Sequence, residues 1–218
     1  PVKNLWELTT PDWKGRVLMV DPMQRGELLD LLVEFSLRPD EMAKAYEAQF
    51  GKPIAVDSDL QGAGEQYIRD LFNNDLVLVP NSDAINKAIG DKTGKNPPVG
   101  FATYSDRRDN EKEGWALQVA NDVEPSNGIL FPAVLALVDK APSPAAARLL
   151  IDFMMGDDSA TGGPAFEPFN VAGDYAVRTT IQDNADSVPL KELNAWRIDP
   201  VKTAAARKRI ADLVLTLQ

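Results

Sequence analysis

Four consecutive apolar residues, Val17-Leu18-Met19-Val20, run directly into Asp21-Pro22, and after a polar turn leucines return at helical spacing from Leu28. A run this short with β-branched ends reads as a buried strand. The turn behind it opens a helix, at whose mouth free backbone N–H groups favour an anion. The same pattern recurs along the chain. A helix is expected from Pro39, with Asp40 and Glu41 at its positive end and Gly51 at its stop. A third helix carries Tyr67, Ile68, Leu71 and Phe72 on one side. "LVLVP" at 76–80 is a short strand ended by proline, and Asn81 or Ser82 caps a helix that ends near Gly90. Val99 to Ala102 gives a second strand running into polar residues, Thr103, Tyr104 and Ser105. Helices alternating with short strands predict an α/β fold.

Further on, "DRRDNEKEG" at 106–114 reads as a solvated helix or loop. The longest apolar run is "GILFPAVLALV" at 128–138, where Pro132 argues for an edge strand or a bulge. "SPAAARLLIDFMMG" predicts a helix with Leu149, Leu150, Phe153 and Met154 inward. An irregular stretch rich in Gly and Pro follows, and a last helix places Ile210, Leu213, Val214 and Leu217 on one stripe. Trp6 and Trp13 read as packing anchors, Met154 and Met155 as core fillers, and Arg207-Lys208-Arg209 as a solvated face.

Composition narrows the chemistry. The 218 residues include 33 acidic and 23 basic side chains, a net charge of −10, so the field of the molecule repels nucleic acid and anionic lipid. Cysteine and histidine are both absent, which excludes disulfides, thiolate nucleophiles, Ser-His triads and the commonest zinc sites. No segment approaches 18 unbroken apolar residues, so no membrane insertion is expected. "DDSATGGP" lacks calcium-loop spacing, and neither a metal nor a cofactor is expected.

Two junctions stand out as candidate ligand sites. Gln24, Arg25 and Gly26 form a helix mouth suited to a phosphate or carboxylate through charge-assisted hydrogen bonds. The alternative is that Arg25 is a solvated turn residue paired with Glu27 or Asp30. An arginine opposes the helix dipole there, so some compensation is expected. Tyr104, with Thr103 or Ser105, can hydrogen-bond an oxyanion or hydroxyl from a second wall. The alternative is a half-buried strand-end tyrosine with its hydroxyl in water.

Three blocks carry a family resemblance. "LWELTTPDWKGRVLMVDP" resembles the Trp–x–x–Leu, Pro–x–Trp–Lys–Gly, strand, Asp-Pro block of family 1 extracellular solute-binding proteins, the periplasmic receptors of ABC importers. "GILFPAVLALVDKAPSPAAARLLIDFMMG" is similar to that family's return strand and following helix. "DYAVRTTI" resembles its late Tyr–Pro–Val–Arg turn, with Ala176 in place of the proline. The resemblance implies a periplasmic-binding-protein-like two-lobe architecture with one lobe incomplete. Residues 1–124 would be the second lobe, and 125–218 the crossover strand and C-terminal part of the first. The chain, which opens at Pro1 without methionine, would then be the C-terminal two-thirds of a receptor.

The resemblance further implies a periplasmic or cell-surface monomer. It captures a small solute and delivers it to an ABC permease in the inner membrane. On this reading Ser126 and Asn127, just before the return strand, reach the ligand where the chain crosses between lobes. An ordinary Ser/Asn/Gly turn explains them as well. Arg25 favours an anionic organic solute: a phosphonate, a sugar phosphate or a carboxylate. The family's ferric branch carries adjacent tyrosines where this chain has Tyr104-Ser105, and a hard trivalent cation without a second phenolate is poorly neutralised. A carboxylate-dependent hydrolase and a partner-binding module are the alternatives from other classes. No nucleophile elbow, P-loop or dinucleotide fingerprint supports an enzyme.

Overall fold

The computed structural model describes residues 2–218. In chain order the elements are β1 (Val17–Val20), α1 (Gly26–Leu37), α2 (Pro39–Phe50), α3 (Ala63–Asn73), β2 (Val77–Val79), α4 (Ser82–Ile89), β3 (Val99–Phe101), α5 (Asn110–Glu113), β4 (Gly128–Leu130), α6 (Pro144–Met154), β5 (Ala195–Arg197) and α7 (Pro200–Leu217). The fold is mixed α/β with small parallel sheets. It divides into two compact units: Pro1–Phe131 with Asn194–Gln218, and Pro132–Leu193. The boundary expected at residues 124–125 lies inside the first unit.

In the first unit β1 is the middle strand of a parallel sheet of order β2-β1-β3, with Val20 opposite Val79 and Met19 opposite Phe101. Its four residues are all buried because both faces are covered. Val17 and Met19 enter the larger core, while Leu18 and Val20 pack with Ile85 of α4. A central strand covered on both sides needs a continuous apolar run rather than alternation.

The larger core is built around Trp6. Asn4 caps the 3-10 turn Leu5–Thr9 in a reciprocal box with Glu7, which turns the indole inward. Its N–H donates to the Met42 carbonyl at 2.9 Å, and Tyr46 and Tyr67 meet it edge-on at 4.9 and 5.0 Å. Trp13 is half-buried beneath the Arg16 guanidinium. The α2 helix begins at Pro39 and ends at Gly51, whose φ of 68° is the left-handed cap that glycine adopts without strain. Where α3 crosses α1, a Cβ on Gly64 would stand 1.9 Å from the Phe35 carbonyl oxygen, so only hydrogen fits.

The α7 helix closes this core over α1, with Ile210 and Val214 fully buried. Its cations are exposed, as expected of them, and they are also paired. Arg207 pairs with Asp30 at 2.6 Å, and Arg209 grips the buried Glu65 through two bonds of 2.7 Å. Lys208 pairs within the helix with Asp212. A second seam joins the same layers. The buried Glu34 accepts from Thr203 Oγ1 at 2.6 Å and pairs with Arg38, whose guanidinium lies over the Trp196 ring at 4.7 Å. A buried carboxylate is tolerated when its lone pairs are filled in this way.

The second unit is irregular apart from α6 and a 3-10 turn at Glu167–Phe169. Two expectations fail there. The strand predicted through 128–138 is confined to β4, pairing with β5, and Phe131 to Val138 is exposed coil. Pro132 has no N–H to continue the ladder. The α6 helix forms as expected, but Leu149, Leu150 and Phe153 keep 70%, 56% and 58% of their surface in solvent instead of facing inward. Met154 is half-buried and Met155 exposed, so neither fills a core. The late turn is closed by Arg178, which donates to the Gly156 carbonyl at 2.6 Å and pairs with Asp158. Among the described residues no helix is long and apolar enough to cross a membrane.

Candidate functional site

The strand order β2-β1-β3 means that the chain leaves β1 toward one neighbour and returns on the other side. Such a switch point leaves a crevice outside the carboxyl ends of the strands, between β1 and β3. Both polar junctions stand at that edge, because the register Met19–Phe101, carried two residues on, sets Asp21 level with Thr103.

At the β1 end, Asp21 organises the turn. Its carboxylate accepts from the Met23 N–H at 2.9 Å and from Gln24 Nε2 at 3.1 Å, and its carbonyl accepts from the N–H groups of Gln24 and Arg25. Gln24 is therefore held within the turn. Arg25 is the N-cap of α1, extended at φ −128°, and its side chain does not cap. Its Nε donates to Glu27 Oε1 at 2.6 Å, its Nη2 also pairs with Glu27, and its Nη1 reaches Ser82 Oγ at 3.3 Å. Glu27 is the compensation that an arginine at a positive helix end requires. Partial burial alone would raise the Glu27 carboxyl, but the Arg25 hydrogen bonds and charge hold it below the ordinary glutamate value. Gly26 keeps the first turn of α1 open, and a Cβ there would lie 3.8 Å from Arg207 Nη1. Two guanidinium groups thus flank this helix mouth, one paired with Glu27 and the other with Asp30.

At the β3 end, Thr103 is exposed and caps the 3-10 turn Tyr104–Asp109 through its carbonyl, which accepts from the Asp106 N–H at 3.2 Å. Ser105 is buried. Tyr104 is half-buried; its hydroxyl accepts from Arg107 Nη1 at 3.4 Å, and the guanidinium carbon stands 5.6 Å from the ring centre.

The two ends are joined by α4. Asn81 caps it, accepting from the Ala84 N–H at 3.0 Å. Ser82 and Asn86 follow four residues apart on one face of the helix. Ser82 meets Arg25 of the β1 junction, while Asn86 Nδ2 donates to Asp106 of the β3 junction at 2.7 Å. Asn86 is buried, its Oδ1 lacks a hydrogen-bond partner, and so does the buried Nε of Arg107. Compared with protein-family models, with curated proteins and with solved structures, the chain matches none.

Ser126 and Asn127 belong to a different sheet. Ser126, 1% exposed, donates to the carbonyls of Gly128 and Asn194. Asn127 donates through its backbone to the Asn194 carbonyl at 2.8 Å and through Nδ2 to Asn121 at 3.1 Å. Asn194 in turn holds the Val123 carbonyl at 2.7 Å and donates its N–H to Asn121. These residues form a clasp that starts β4 and β5 side by side. The turn explanation covers both of them.

Residues that sequence reasoning passed over are Ser82, Asn86 and Asp106 at the sheet edge, and Asn194 in the clasp. Ser82 was visible only as a cap, although its four-residue spacing from Asn86 was a readable sign of a shared polar face. The edge offers donors at Arg25 Nη1, the Ser82 hydroxyl and the first turn of α1. It suits recognition of a small oxyanion.

Proposed function

We propose that this chain is the ligand-binding part of an extracellular solute receptor of the ABC-importer type. It captures a small anionic organic solute, a phosphonate, sugar phosphate or carboxylate, between two lobes and delivers it to a permease from the periplasm. The observation that carries this reading is the α4 face. Ser82 and Asn86 link the Arg25 junction to the Tyr104–Asp106 junction across the switch point of a parallel sheet.

Glu27 refines the reading, because it occupies the two nitrogens of Arg25 that a bidentate anion would take. The solute must displace it, which favours a group of higher charge than a single carboxylate. A ferric ion is disfavoured beside Tyr104, whose hydroxyl already faces the Arg107 cation.

Calorimetric titration with inorganic phosphate, glycerol 3-phosphate and acetate tests this. The doubly charged phosphates are expected to bind more tightly than acetate. Arg25→Ala weakens binding by about 1.5–3 kcal/mol, and Glu27→Gln tightens it by roughly two- to fivefold, the worth of an exposed pair. Affinities unmoved by either substitution would overturn the assignment.

A further inference from the structure

Asn127-Gly128 is the one Asn-Gly pair in the sequence. Asparagine is a thermolabile residue, most of all where glycine follows, because no Cβ shields the next backbone nitrogen. Here that nitrogen opens β4, and a Cβ built on Gly128 would meet nothing within 4 Å, so the junction is uncrowded. Asn127 is half-buried and within reach of water. The clasp nevertheless holds both reacting groups. The Gly128 N–H donates to Ser126 Oγ at 3.2 Å, and the amide nitrogen that would leave, Asn127 Nδ2, donates to Asn121 Oδ1 at 3.1 Å.

We infer that Asn127-Gly128 is a latent self-modification site: an intramolecular deamidation that the clasp holds off and that, once it has occurred, keeps the clasp from closing again. The Gly128 nitrogen, giving its proton to hydroxide, bonds to Asn127 Cγ. The Cγ–Nδ2 bond breaks, and Nδ2 takes up a proton and leaves as ammonia. Water then opens the cyclic imide at either carbonyl, leaving an aspartate or an isoaspartate linkage at position 127. Nothing is oxidised or reduced.

The product no longer fits its neighbours. Asn121 Oδ1 accepts from two donors, Asn127 Nδ2 and the Asn194 N–H. A carboxylate at 127 sets oxygen against oxygen there. Turning the Asn121 amide over would answer the carboxylate, but it would set a donor against the Asn194 N–H. Either setting leaves a polar group of the clasp without its bond. An isoaspartate also adds a methylene to the backbone just before Gly128–Ala195, the first pair of the β4–β5 ladder. The inference rests on the clasp and does not depend on the anion site.

Peptide mass spectrometry of the full chain, aged in mildly alkaline buffer, tests it by following amide-to-acid conversion at residue 127. Conversion is expected to be slower in native buffer than in urea by about fivefold or more, the factor that one lost hydrogen bond is worth. Ser126→Ala and Asn194→Ala each speed the native reaction by about that factor, with little change in urea. Ile85→Val, which weakens the core away from the clasp, leaves the native rate where it was. In urea unfolding at neutral pH, Asn127→Asp has a lower midpoint than Asn127→Ala. That gap closes as pH falls and the carboxyl gains a proton that it can donate to Asn121. A native rate equal to the rate in urea, the same acceleration from Ile85→Val as from Ser126→Ala, or an Asn127→Asp no less stable than Asn127→Ala would overturn the inference.

Discussion

The two units bury their apolar residues to very different degrees. In the first, Trp6, Tyr67, Phe35, Met19, Leu32 and Ile210 are all but completely removed from water. In the second, Ile181 is the one large apolar side chain that is buried among the described residues, while Leu149, Leu150 and Phe153 lie open. Their apolar periodicity does not explain the difference, because α6 is amphipathic like α3. The difference lies in what opposes each stripe. The α1, α3 and α7 helices meet one another and the covered sheet, and Gly64 lets α3 approach the α1 backbone. The α6 helix has no sheet face in its unit, since Pro132 ends the strand that would have supplied one. Periodicity states which face is apolar, and burial needs a second surface.

The sharpest way to break this contrast is to remove one large side chain from each unit. Trp6→Ala is expected to cost about 3–5 kcal/mol of stability in urea unfolding, and Phe153→Ala no more than about 0.5 kcal/mol. Comparable losses would mean that α6 is buried in solution. Next in size is the clasp. Asn194→Ala removes the Nδ2 donor and leaves the Val123 carbonyl short of a partner, while its backbone N–H still serves Asn121, and is expected to cost about 1–3 kcal/mol in the same measurement. The sheet edge should respond in the opposite sense. Arg25→Ala changes stability by less than about 1 kcal/mol, because its pairing with Glu27 is partly exposed, yet it lowers phosphate affinity by far more.

The smallest effect is a pH dependence. The Glu27 carboxyl sits below its ordinary value in the folded chain, so its pairing adds stability above about pH 4.5. That contribution is lost as pH falls through the lower folded value. Urea midpoints of the wild type should therefore decline slightly more than those of Glu27→Gln between pH 5 and the acid limit, by a few tenths of a kcal/mol. A larger loss in the variant would reverse the sign.

Much of the first unit was legible because its signals are local. The apolar run of β1, Pro39 and Gly51 around α2, and the Asn81 cap each act within a few residues. Pairings between distant elements left no such trace. Arg209 reaches Glu65 across 144 residues and Asn86 reaches Asp106 across 20, so the seam made by an exposed cluster, and the α4 link between the two junctions, went unseen. Arg25 was found together with its candidate partners Glu27 and Asp30, and the structure selects Glu27, two residues away. Ser126 and Asn127 carried a turn signal whose purpose became visible only with Asn194 opposite them, 68 residues from Ser126.

Nitrogen-15 NMR titration of the full chain with glycerol 3-phosphate tests the central claim most directly. The account predicts saturable shifts confined to Asp21–Glu27, Asn81–Asn86 and Thr103–Asp106, abolished in Arg25→Ala while the remaining resonances stay in place. Shifts elsewhere, or the same shifts persisting in Arg25→Ala, would contradict it.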